Sequence, residues 1–131
     1  MAAFLLDTTA VIDWLADHSG VGKWIEARLL EGGDVGIGPI TLAEVIGGME
    51  PAQRSAVRSI LEKLTWVPIS EDVAVKAGEL FWDHERQGKR LPFPDLLQAA
   101  SALLTGRTVA TSNLRHFPDV DAVDPRRTNP A

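Results

Sequence analysis

The sequence contains no cysteine. Disulfides, thiolate metal sites and cysteine nucleophiles are thereby excluded, and a reducing compartment suits the chain. It also lacks any apolar run approaching the roughly 20 residues that a membrane-spanning helix needs. No basic segment opens it: Met1-Ala2-Ala3-Phe4-Leu5-Leu6 runs straight into Asp7. The expectation is a cytoplasmic protein with no signal peptide and no membrane partner. Basic charge is scarce, with 13 Lys and Arg against 18 Asp and Glu and a formal net charge of −5. Nucleic-acid binding usually leaves a basic footprint. Carboxylates gathered around a divalent cation, however, depress the total without repelling a phosphate once the cation is bound. Net charge therefore decides little about partners.

What remains is an ordinary globular composition, 45% apolar over 131 residues, enough for one core. The expected organisation is a single domain over residues 1–124 with a mobile tail over 125–131. Apolar runs ending at Leu6, Ile37 and Ala110, with shorter ones at 66–69 and 122–123, alternate with segments of helical spacing. Val11, Ile12, Trp14 and Leu15 mark one helix, and Val21, Trp24, Ile25 and Leu29 the next. Further helices are expected from Thr41, over 51–64, from Ser70, and from Asp95 after a two-proline loop. Alternating strands and helices predict an α/β fold, an α/β/α sandwich around a short parallel sheet. Pro68 suggests a sheet edge.

Open parallel sheets bind ligands at the carboxyl ends of their strands. Asp7 ends the first strand, Glu44 follows the second, Asp95 opens a helix, and Asn113 follows the strand ending near Thr111. Such groups can converge on one rim, where carboxylate oxygens favour Mg²⁺ or Mn²⁺. Each acid alone has a plainer reading: Asp7 and Asp95 as helix caps, Glu44 as a solvated residue near a positive helix end.

At these residues the sequence resembles the PIN-domain family, and within it the VapC-type toxins of bacterial toxin–antitoxin pairs. Phe4-Leu5-Leu6-Asp7-Thr8-Thr9 is similar to the family's opening strand and acid, and Ile40-Thr41-Leu42-Ala43-Glu44-Val45 to its second motif. Pro94-Asp95-Leu96-Leu97-Gln98-Ala99-Ala100 is similar to the third, and Val109-Ala110-Thr111-Ser112-Asn113-Leu114-Arg115-His116-Phe117 to the fourth. The resemblance covers nearly the whole chain with motifs in order. It implies a PIN-like fold and a ribonuclease whose Asp7, Glu44 and Asp95 hold Mg²⁺ or Mn²⁺. Asn113 stands at the fourth acidic position, an uncharged replacement, with Thr8, Thr9 and Thr111 flanking the site. It also implies an RNA substrate, a VapB-like antitoxin partner and a homodimer.

Arg86, Lys89 and Arg90, with Arg115, are the candidate RNA contacts, each equally readable as solvated charge. Asp13 reads as a helix-face residue and Asp119 as a turn residue. His18, His84 and His116 lack metal spacing and read as structural or surface side chains. The four tryptophans read as packing, as do Val57, Ile60 and Leu61, which also suit partner contacts. The alternative function is a PIN fold weakened in catalysis that grips RNA or protein. A phosphoacceptor domain of the receiver type would want an acidic pair at the first strand end and a lysine after the last strand, and neither is evident.

Overall fold

The computed structural model describes residues 2–127. Five parallel strands form one sheet in the order β3-β2-β1-β4-β5: β1 (Ala3–Leu6), β2 (Asp34–Ile37), β3 (Thr65–Trp66), β4 (Thr108–Ala110) and β5 (Ala122–Val123). The helices are α1 (Thr8–Leu15), α2 (Val21–Leu30), α3 (Pro39–Gly47), α4 (Pro51–Leu61), α5 (Glu71–Arg86) and α6 (Phe93–Thr105). The expected α/β/α sandwich is the observed one.

Side chains alternate across a strand, and β1 divides the core accordingly. Leu6 packs with Val35, Ile37 and Ala110 against α1, α2 and α4 through Val11, Ile25 and Leu61. Leu5 packs with Val109 against α5 and α6 through Val73, Ala77, Leu96 and Ala99. Both faces are covered, so the strands read as short apolar runs.

Glycine permits one close approach within the sheet. A Cβ at Gly36 would sit 2.6 Å from Val67 Cγ2 and 2.9 Å from the Arg107 guanidinium. That guanidinium crosses to Asp34, with Nη1 and Nη2 donating to its two oxygens at 3.0 and 2.9 Å.

Two boundaries differ from the sequence reading. Helix α6 begins at Phe93, inside the expected loop, and α3 begins at Pro39. In both, proline occupies the first turn, where its missing N–H leaves no intrahelical bond unmade. Asp95 therefore lies within the first turn of α6. Ser70 caps α5 as expected, accepting from the Val73 N–H. The expected tail begins with a turn over 125–127; residues 128–131 lie outside the described residues.

Candidate active site

The strand order reverses direction of travel at β1: the chain moves outward through β2 and β3, then returns to add β4 and β5 on the other side. The crevice between the carboxyl ends of β1 and β4 is thus the switch point where such sheets bind ligands. Asp7 leaves β1 there, and its backbone N–H donates to Ala110 O of β4.

Asp7 occupies the N-cap position of α1, yet its side chain makes no cap hydrogen bond. Its carboxylate turns instead into a buried network. Gln98 Nε2 of α6 donates to Oδ1 at 2.8 Å, and Thr111 Oγ1 donates to Oδ2 at 2.7 Å. Gln98 is fixed in turn by Thr41 Oγ1, which lies 2.9 Å from Gln98 Oε1 and 3.1 Å from Leu6 O. All four side chains are buried. One acid is thereby tied to β1, α3, α6 and the end of β4 at once.

Glu44 is exposed on α3, and Thr8 Oγ1 donates to its Oε1 at 2.5 Å, drawing it to the start of α1. Asp95 is half-buried and pairs with His116 Nδ1 through Oδ2 at 2.7 Å. Burial, followed by the charges of Asp7 and Glu44, raises the Asp95 carboxyl above the usual carboxylate range, against the lowering pull of His116. Three acids, two placed after strands β1 and β2 and one in the first turn of α6, thus share one electrostatic site.

Asn113 does not join them. Its backbone N–H donates to Thr111 Oγ1 at 2.9 Å, and its exposed side chain makes no hydrogen bond to the three acids among the described residues. The flanking threonines are all engaged: Thr9 Oγ1 accepts from the Ser112 N–H at 3.0 Å and approaches Thr111 Oγ1. His116, read from the sequence as structural or surface, touches a site acid. Gln98 and Thr41 were not singled out in the sequence, although each sits three residues from an acid on the same helix.

Asp13 lies on α1 and Asp119 in a turn, as expected, but each has a partner that the sequence did not reveal. Asp13 is buried on its helix, and Arg126 grips it with two bonds of 2.6 and 2.9 Å. Asp119 forms a 2.7 Å pair with the buried His84. Of the proposed RNA contacts, Arg90 is bound to Glu85 and Arg86 lies 5.0 Å over the Trp82 ring. Lys89 and Arg115 are exposed. Leu61 belongs to the core, whereas Val57 and Ile60 line a groove of about 430 Å³ between α1, α3 and α4 that reaches Glu44.

The donor set suits a hard divalent cation: carboxylate oxygens only, with Asp95 destabilised by its neighbours' charges and relieved by a cation. Among the described residues, no three His, Cys, Asp or Glu side chains are gathered closely enough to enclose an ion as they stand. The oxygens of Asp7 are turned to Gln98 and Thr111, and Glu44 to Thr8, so capture requires side-chain adjustment. On chemistry the residues fit.

A model of the PIN domain matches residues 4–123. Ribonuclease VapC10 of Mycobacterium tuberculosis is 31% identical over 121 residues, covering 92% of this chain and 90% of that protein. Among solved structures, FitAcB from Neisseria gonorrhoeae superposes with a TM-score of 0.80 at 27% identity, covering 95% of this chain and 99% of its own. A toxin–antitoxin complex from Klebsiella pneumoniae superposes at 0.76 with 25% identity, covering 94% and 98%.

Proposed function

The chain belongs to the PIN-domain family, and from that premise we propose that it is a divalent-metal-dependent endoribonuclease, the toxin of a VapBC-type pair. The observation that carries this reading is the electrostatic coupling of Asp95 to Asp7 and Glu44, three acids delivered by the end of β1, by α3 after β2 and by the first turn of α6. Like charges crowded into a half-buried site are unfavourable unless a cation is to be held among them.

Asp7, Asp95 and Glu44 would hold Mg²⁺ or Mn²⁺. When bound, such an ion lowers the pKa of water and polarises a phosphoryl oxygen. The chain's own residues provide orientation. Thr111 and Gln98 hold the Asp7 carboxylate at the switch point, leaving it no freedom to cap α1. Thr8 aims Glu44 across the crevice. The hydrogen bond between His116 Nδ1 and Asp95 Oδ2 fixes the orientation of the Asp95 carboxylate.

The toxin reading extends to partners. The resemblance to VapC proteins supports an RNA substrate, a VapB-like antitoxin and a homodimer. The apolar groove walled by Ile12, Leu15, Met49, Val57 and Ile60 ends at Glu44 and suits an antitoxin segment. One lying there would reach the acids and block them.

The test is cleavage of total RNA by the purified protein in Mg²⁺ or Mn²⁺, with product ends sequenced. Cleavage that disappears with chelator and in Asp95→Asn supports the reading. The alternative, a PIN fold that grips RNA without cutting it, draws on the absence of a ready-made metal cage among the described residues. RNA binding with no cleavage in either metal would establish that alternative.

A further inference from the structure

A second feature lies beside the carboxylates and carries the opposite charge. Ser112, Asn113, Leu114, Arg115, His116 and Arg127 line a cavity of about 380 Å³ around the 3₁₀ turn Leu114–His116. Among the described residues, none that lines it is acidic. In a chain of net charge −5, a pocket walled by two guanidinium groups, an imidazole, an amide and a hydroxyl is a local reversal.

The pocket shares a wall with the acidic site. His116 lines it and pairs with Asp95. Asn113 lines it and is held through its N–H to Thr111, the residue that holds Asp7. A ligand resting there is thus adjacent to the acids but outside them.

The turn carrying Arg127 is anchored by groups that never reach the pocket. Asp124 is buried, and its Oδ1 accepts the Arg126 N–H at 2.9 Å. The Arg126 guanidinium is committed to buried Asp13. Arg127 itself donates its backbone N–H to Asp124 O at 3.0 Å. Its side chain is 81% exposed and lies 3.4 Å from Oδ2 of the buried Asp124, so the solvent-facing part of its guanidinium stays open to another oxyanion. Arg115, also exposed, forms no ion pair among the described residues. Two cations are therefore available while the backbone bearing them is fixed.

We propose that this pocket binds a backbone phosphate of the RNA strand next to the one positioned at the carboxylates, with Arg115 and Arg127 as its main contacts and Asn113 as a hydrogen-bond donor. The inference rests on the ribonuclease reading. It gives Asn113, which does not join the acids, a role on the substrate. It also assigns strand placement to Arg127, which the motif resemblance does not include. Guanidinium forks match phosphate oxygens in geometry as well as charge, and phosphate contacts set register without reading sequence.

The test uses the full chain, an end-labelled single-stranded RNA, and the variants Arg115→Ala, Arg127→Ala and their combination. Binding is followed by fluorescence anisotropy without divalent cation across a salt series, and cleavage is followed with Mg²⁺. Each lost contact should reduce the slope of log K against log salt by about 0.7, so the double variant should lose about 1.4. KM should rise while kcat changes little, and Arg127→Lys should restore part of the slope. A merely structural role would shift Tm and leave the salt slope alone. Unchanged slope and KM in a double variant, with the unsubstituted protein cutting RNA normally, would overturn the pocket assignment and leave the nuclease reading intact. Weakened antitoxin binding with unchanged RNA binding would give the pocket to the protein partner and likewise overturn it. Failure of the unsubstituted protein to bind RNA at all would overturn both.

Discussion

Thr111→Val tests whether the network around Asp7 does what its geometry implies. The substitution keeps shape and removes one oxygen. Thr111 is fully buried, and Asp7 is 4% exposed, so solvent cannot replace what is lost. The hydroxyl donates to Asp7 Oδ2 at 2.7 Å and accepts the Asn113 N–H at 2.9 Å. A hydrogen bond to a charged group contributes about 1.5–3 kcal/mol and a neutral one about 1 kcal/mol. The neighbouring Asn113 is exposed, and water can satisfy part of its N–H, so the expected loss is about 2–4 kcal/mol. At roughly 3–6 °C per kcal/mol for a domain of this size, Tm should fall by roughly 6–24 °C. Thr111→Ser keeps the oxygen and should lose only about 1 kcal/mol for the buried methyl. Thermal unfolding of the two variants without metal is the assay. If valine lowers Tm no more than serine does, Thr111 does not hold Asp7, and the account of the site's construction is wrong. The same variant should lose about 10–100-fold in metal affinity or activity, the usual effect of freeing a ligand from its support.

Asp95→Asn should stabilise the metal-free protein at neutral pH, because burial and the charges of Asp7 and Glu44 raise this carboxyl. The sign follows from linkage: a carboxyl raised on folding is harmless below its unfolded value of 3.8 and destabilises as pH climbs through its folded value. The advantage of Asn should therefore appear in Tm at pH 7 and vanish near pH 3. Asp34 runs the other way, its carboxyl lowered first by the Arg107 hydrogen bonds and then by Thr65. Its contribution should be present above pH 3.8 and disappear as pH falls through the lowered value, and Asp34→Asn should flatten that acid limb of the stability curve. Gly36→Ala should destabilise by about 1–3 kcal/mol through overpacking against Val67 and Arg107, measurable as a lower urea midpoint at unchanged slope.

Much of the layout was legible because a parallel sheet buried on both faces writes itself as short apolar runs, and Leu6, Ile37 and Ala110 ended three of them. Asp7 and Glu44 were legible from their places after two of those runs, and Asp95 from its place at a helix start and from motif order. Local rules could not choose between a capping Asp7 and a buried one, because the donors that decide it stand 91 and 104 residues away. The burial of Asp13 was illegible for the same reason: its partner Arg126 is 113 residues distant. His116 was missed because metal spacing was sought among histidines, while its actual partner is a carboxylate on another helix. The start of α6 was placed two residues late because Pro92 and Pro94 were taken as loop, whereas Pro94 fits a first helical turn.

The 104-residue separation between Asp7 and Thr111 also has a bearing on synthesis. A nascent chain carries all three acids once residue 95 has been made, yet the middle strand still lacks one neighbour, since Phe4 pairs with Thr108. Non-local pairings of this kind form late. A ribosome that stalls or drops off before residue 111 releases a polypeptide holding the acidic side chains without the hydroxyl and imidazole that orient two of them. For the proposed nuclease, the site stays incomplete until Thr111 and His116 have both been added to the chain.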